Sequence, residues 1–177
     1  DISTKEITFA KVKLLTSIKS SDSRVINIKK IKSGKEYSDF MIKDLHKYID
    51  TDFALIIQYD GFILNPNAWS DDFLKYDYIG APWYHLGDLR VGNGGFSLRS
   101  RKIMRIPIDH DLPLLQEKGW FNEDGNLTCY YRELMLTLGI KYAPIEVASK
   151  FAYENPMLEN DYGKMKTFGY HRNMPLW

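Results

Sequence analysis

The run Phe53-Ala54-Leu55-Ile56-Ile57-Gln58-Tyr59-Asp60-Gly61-Phe62 constrains the fold more than any other stretch of this chain. Five apolar residues, two of them β-branched, give way abruptly to a carboxylate and a glycine. Such a run reads as a strand covered on both faces, the kind found in sheets flanked by helices. In open α/β sheets ligands gather beyond the carboxyl ends of the strands, so Asp60 stands where a cation or a phosphate would be held. Asp-Gly is also a common turn dipeptide, and on this segment alone the turn is the stronger reading. Strand alternation puts Gln58 and Asp60 on one face and Tyr59 on the other.

The neighbouring segments supply the rest of the layout. Phe9–Thr16 and Val25–Ile31 have the alternation of strands, and a helix is expected over Tyr37–Ile49, with Tyr37, Met41, Leu45 and Tyr48 at spacings of three and four. This strand–helix–strand rhythm predicts βαβ units and a mainly parallel sheet. Beyond it come a short helix over Trp69–Tyr76, a brief strand over Tyr78–Trp83 and a loop over Tyr84–Leu89. The glycine-rich stretch Val91–Ser100 leads into a strand, and a helix starts at Ser100. A further helix over Tyr130–Leu138 is closed by Gly139, and a late strand spans Tyr142–Val147. No internal repeat is present, and a single domain is expected over residues 1–177.

Composition narrows the function classes. With 44% hydrophobic and 27% charged residues the chain is of ordinary globular make-up. A net charge of +1 gives no footing for a nucleic-acid partner. Cys129 is the single cysteine, so an intrachain disulfide is excluded and the redox compartment stays open. No stretch reaches membrane-spanning length and no secretory h-region opens the chain, which favours the cytoplasm.

Four clusters could carry chemistry. Asp60 by itself would hold a divalent cation poorly, but Mg²⁺ and Mn²⁺ complete their shells with water and substrate phosphate, so one or two protein ligands can suffice. His171 could be the second, and an imidazole would favour Mn²⁺; taken singly it reads as a surface histidine. Gly92, Gly94 and Gly95 are too loosely spaced for a dinucleotide fingerprint, and no P-loop lysine follows. They would admit a ligand close to the backbone, or simply kink the start of a strand. Glu123 and Asp124 precede a helix, where the dipole favours acids; alternatively, one of them is a general base kept ionised by that dipole.

Taken in order, QYDGF, YIGAPW, GNGGFSLRS, the Glu123-Asp124 pair and FGYH resemble a family of glycosyltransferase-like sequences known mainly as a domain of unknown function and grouped with the GT-A fold. The likeness runs from about Phe9 to His171. It is looser to the fringe and core-1 galactosyltransferase enzymes. The resemblance implies a Rossmann-like central sheet and a metal-dependent, inverting transfer from a nucleotide-sugar donor to a hydroxyl of a glycan acceptor. Asp60 would match the metal-binding second position of the Asp-x-Asp motif, with Gln58 in place of the first, and His171 would complete the shell around Mn²⁺ or Mg²⁺. Asp124, with Glu123 second, would be the base. Gln58, Asp60, Asn93, Gly94 and Gly95 would line donor and acceptor, and Trp83, Tyr84 and Phe96 would pack against sugar faces. Relatives open with a strand and loop that hold the nucleotide base. Only six residues precede Ile7 here, so the expected fold lacks that first strand because the chain is a fragment of a longer one, or places it elsewhere, or binds the donor less well, and other domains of a longer chain are expected as partners. The rival readings are a non-catalytic carbohydrate- or nucleotide-binding module on the same fold and, far behind it, a sugar-nucleotide pyrophosphorylase.

Overall fold

The fold is organised around Phe96–Ser100 (β6), every residue of which is buried. The computed structural model describes residues 2–83, 87, 91–116, 122–155 and 166–172. Before β6 come Leu14–Thr16 (β1), Val25–Asn27 (β2), Phe53–Ile57 (β3), Gly61–Ile63 (β4) and Tyr78–Gly80 (β5). After it come Ala152–Tyr153 (β7) and Gly169–His171 (β8). The helices are Gly34–Lys43 (α1), Arg101–Asp109 (α2), Glu123–Gly125 (α3), Arg132–Thr137 (α4) and Ile145–Phe151 (α5).

The result is a mixed α/β protein whose central sheet departs from the expected parallel arrangement. Both β3 and β5 run antiparallel to β6, which lies between them. Among the described residues parallel pairing is confined to β1–β2, β7–β8 and a bridge between Tyr78 and Tyr142. Parallel neighbours need a crossover connection. Here the segment between β5 and β6 turns the chain back on itself instead, so β6 fills the space between two strands that share a direction.

Alternation on the sheet builds two cores. Phe53, Leu55, Ile57, Ile79, Phe96 and Leu98 belong to one, together with Phe73, Phe151 and Phe168. Ala54, Ile56 and Tyr78 belong to the other, with Met41 from α1, Ile103 and Met104 from α2 and Met135 from α4. Both faces of β3 are therefore packed, as its apolar run requires. Its residues are nonetheless only half-buried, because β3 is the edge of its sheet.

Local signals account for most boundaries. Ser33 caps α1 by accepting from the Glu36 N–H at 3.1 Å. The helix ends at Lys43 and a 3₁₀ turn over Leu45–Tyr48 replaces its expected last turn. Ser100 caps α2 through the Ile103 N–H at 3.2 Å. Gly139, with φ of 76°, closes the chain past α4 as foreseen. The expected strand over Tyr142–Val147 is reduced to the single bridge at Tyr142. Pro144, which has no N–H to give a ladder, instead stands at the N-cap of α5. Asn126, which opens an Asn-Leu-Thr triplet, is fully buried and hydrogen-bonds Leu115 and Asn122 through its side chain.

Candidate functional site

Asp60 belongs to a turn. The Gly61 N–H donates to the Gln58 carbonyl at 2.9 Å, so the chain reverses over Tyr59 and Asp60 between β3 and β4. The turn expected from Asp-Gly is therefore present, with Asp60 in it. β4 then pairs antiparallel with β8, with Gly61 opposite His171, and that pairing brings the two distant residues together. His171 Nε2 lies 3.4 Å from Asp60 Oδ1. Both atoms are buried and, among the described residues, without a hydrogen-bond partner, as is Oε2 of Glu154. Directly after His171, Arg172 takes a φ of 110°, a strained backbone for a residue with a side chain.

The other ring nitrogen is held from behind. His171 Nδ1 is 3.3 Å from Glu154 Oε1 and 3.0 Å from Asn93 Nδ2, and Asn93 Nδ2 also donates to Glu154 Oε1 at 2.8 Å. Asn93 Nδ2, whose Oδ1 is taken up by the backbone N–H groups of Gly95 and Phe96, can donate to an unprotonated Nδ1; with the proton on Nδ1 instead, that N–H meets Glu154 and the Nε2 lone pair faces Asp60. This is the arrangement of a carboxylate–histidine–metal set. Two ligands each about 2.1 Å from one ion lie about 3.0 Å apart at a right angle and about 3.4 Å apart at a tetrahedral angle. The orphaned pair Asp60–His171 therefore fits a divalent cation as two of its ligands. No cluster of three or more His, Cys, Asp or Glu able to hold a metal occurs among the described residues.

The glycine pair separates this site from a second one. A Cβ on Gly95 would lie 1.9 Å from His171 Nε2, and a Cβ on Gly94 would lie 2.5 Å from Glu123 Oε1 and 2.9 Å from Asp124 Cβ. Asn93 fixes the intervening backbone, its Oδ1 accepting from the N–H groups of Gly95 and Phe96 at 3.1 and 3.2 Å. On the Gly94 side, the Gly94 N–H donates to Asp124 Oδ2 at 3.0 Å and the Gly125 N–H to Asp124 Oδ1 at 2.7 Å.

Glu123 and Asp124 are not equivalent. Glu123 is buried and pairs with Arg99, which is fully buried, at 2.9 Å. Arg99 in turn donates to Ser97 Oγ and to the Gly94 carbonyl, and stacks over Tyr78 at 5.3 Å. Glu123 is thereby committed to holding the frame. Asp124 is half-buried, and its pKa is pushed up to about 7, first by burial and then by the charge of Glu123; the two backbone N–H groups and Arg99 oppose the rise. The expectation that a helix dipole keeps this carboxyl ionised is corrected here. The α-helical piece is three residues long and passes at once into a π-helical turn over Asn126–Tyr130, so burial and a like charge outweigh the dipole. A carboxylate with pKa near neutrality suits a general base.

The remaining expected residues divide. Gln58 does not turn to Asp60; its Nε2 donates to the Tyr37 hydroxyl at 2.6 Å. Phe96 is fully buried among Phe151 and Phe168, so its ring is core and not a sugar platform. Trp83 is half-buried and packs on Gly92, where a Cβ would come within 2.3 Å of the ring. Tyr84 lies outside the described residues. Tyr37, Arg99 and Glu154 are site residues that were not expected from sequence, Tyr37 having been expected only as a helix position. Arg99 carried a usable signal: an arginine inside an otherwise uncharged strand needs a buried acid. Nothing local marks Glu154.

A turn-borne carboxylate, a strand-borne histidine and a near-neutral aspartate arranged about a glycine pair define a polar site at one edge of a mixed α/β domain. The chain belongs to the family described as Protein of unknown function (DUF5672), which it matches over residues 21–171. No curated protein matches it.

Proposed function

We propose that the protein is a metal-dependent, inverting glycosyltransferase that moves a sugar from a nucleotide-sugar donor to a hydroxyl of a glycan acceptor. The observation that carries this reading is the single residue step from Gly94 to Gly95. It sets Asp124 against one glycine and the Asp60–His171 pair against the next. A divalent cation held by Asp60 and His171 would offset the charge of the departing diphosphate. The chain's own part is positional and acid–base. Asp124 takes the proton of the acceptor hydroxyl while that oxygen bonds to the anomeric carbon. The bond from that carbon to the diphosphate oxygen breaks, and its electron pair leaves with the diphosphate. Glu154 and Asn93 orient the His171 ring, and Arg99 with Glu123 holds the backbone that presents Asp124. The glycines leave room for a donor to lie against the main chain.

A non-catalytic sugar- or nucleotide-binding module is the second reading. It is favoured by Asp124 accepting from two backbone N–H groups, as a purely bracing carboxylate would. The two are separated by following the release of nucleoside diphosphate from a panel of nucleotide sugars with Mn²⁺, for the wild type and for Asp60→Ala. Turnover that Asp60→Ala removes supports transfer. Donor-dependent thermal stabilisation with no turnover for any donor and metal would leave the binding module.

A further inference from the structure

The outer edge of β3 is an open hydrogen-bonding row. In the antiparallel register with β6, Arg101 donates to the Asp52 carbonyl at 2.7 Å and Gln58 donates to the Gly95 carbonyl at 2.8 Å, with Ala54 and Ile56 paired between them. The peptide groups of Phe53, Leu55 and Ile57 therefore point the other way. Among the described residues the only partner on that side is the Thr51 hydroxyl, which donates to the Phe53 carbonyl at 2.7 Å. β1 repeats the situation. Leu14 donates to the Arg24 carbonyl and Ile28 to the Thr16 carbonyl, at 2.8 and 3.0 Å, so Leu14 and Thr16 face β2. The backbone of Leu15 faces away and has no hydrogen-bond partner among the described residues.

Both open edges border one groove of about 910 Å³. Its walls include Leu14, Leu15, Phe40, Leu55 and Ile57. The charged groups at its rim are already engaged: Lys11 pairs with Asp50, and Lys13 donates to the Tyr48 carbonyl. An anionic ligand finds no free cation in these partners. An apolar small molecule would cover the walls but leave both rows of peptide groups unmatched. An extended polypeptide answers both demands, since its side chains meet the walls and its own N–H and C=O groups complement the open rows.

We propose that the groove between β1 and β3 receives an extended apolar polypeptide segment from outside residues 1–177, which pairs as a strand with the open edge of β3 and continues the β3–β6–β5 sheet. A segment of about five or six residues, the usual strand length, matches β3. This inference is independent of the transfer reading, because none of the groups it uses belongs to the Asp60–His171 or Asp124 clusters.

The test uses the acetylated and amidated peptide Lys-Val-Ile-Val-Thr-Val-Lys, and a version N-methylated at alternate residues so that one edge cannot donate. Amide hydrogen exchange is followed at Leu15, Leu55 and Ile57. The unmethylated peptide is expected to slow exchange at Leu55 and Ile57 at least tenfold, and the methylated one is not. Leu55→Pro removes the outward-facing N–H, at a position where an edge strand tolerates proline, together with the Leu55 side chain; it is expected to keep the far-ultraviolet spectrum and to lose the protection at Ile57. Should that variant misfold, the methylated peptide still decides. Three results would overturn the proposal: no protection, equal protection by both peptides, or protection that follows protein concentration without peptide. The last would assign the groove to a second copy of this chain.

Discussion

Gly95 and His171 are in contact so close that the backbone of one forms a wall of the other's site: a Cβ on Gly95 would stand 1.9 Å from His171 Nε2. This relationship makes the glycine pair a spacing device. Each glycine gives up its side chain to one cluster, Gly95 to His171 and Gly94 to Glu123 and Asp124.

Gly95→Ala is expected to push the imidazole off Asp60 and to destabilise the fold by about 1–3 kcal/mol, the usual range for overpacking. Gly169→Ala is the control, because its Cβ would meet the Phe96 ring at 2.0 Å, inside the aromatic core. Both variants should lower the melting temperature, but only Gly95→Ala should abolish the shift in melting temperature produced by Mn²⁺. An equal Mn²⁺ response in the two would remove His171 from the proposed cation site.

The Arg99–Glu123 pair is buried on both sides, so removing one partner leaves a charge without compensation. Arg99→Met is expected to cost about 3–5 kcal/mol in urea denaturation. The double variant Arg99→Met/Glu123→Met should recover much of that loss. A single variant as stable as the wild type would mean that the pair does not frame the site.

Asp124 has a folded-state pKa of about 7, raised from the ordinary carboxylate value of 3.8 by burial and by the neighbouring Glu123. The folded state therefore holds this proton more tightly than the unfolded chain does. The contribution to stability is fully present below pH 4, falls as pH rises and is gone above about 7. Asp124→Asn is expected to gain stability relative to wild type at pH 8 more than at pH 5 in denaturant titrations. Transfer needs the ionised form, so turnover should rise with pH through about 7 and vanish in Asp124→Asn. A rate independent of pH between 5 and 8 would exclude Asp124 as the base.

Phe96→Ala is expected to cost about 3–5 kcal/mol, as for other buried aromatics cut to alanine. Phe96→Leu should keep the Michaelis constant for donor and acceptor near the wild-type value, because the ring packs against Phe151 and Phe168 at centroid distances of 5.4 and 5.8 Å. A large change in that constant for Phe96→Leu, with stability preserved, would return the residue to the binding surface.

Much of the local structure was legible in the chain. The β3 run, the helix start at Ser100 and the Gly139 closure all depend on neighbours within a few residues, so side-chain type and spacing decide them; the Ser33 cap, which starts α1 three residues before the expected Tyr37, was not read. Strand direction was not legible. The same apolar run suits a parallel or an antiparallel neighbour, and only the reversal of the chain before β6 sets the choice.

The site divides along the same line. By itself the sequence placed Asp60 after a buried strand and before a glycine, and placed Glu123 beside Asp124 at a helix start, because these are relations between adjacent residues. It could not say that Gln58 turns to Tyr37, that Arg99 claims Glu123, or that Glu154 stands behind His171. Those are contacts between residues far apart in sequence: the β7–β8 pairing carries Glu154 to His171, and burial of helix against sheet decides the others. Burial also gives the two neighbouring carboxylates different roles: the acid beside the buried arginine stays paired, and the other is left near neutrality.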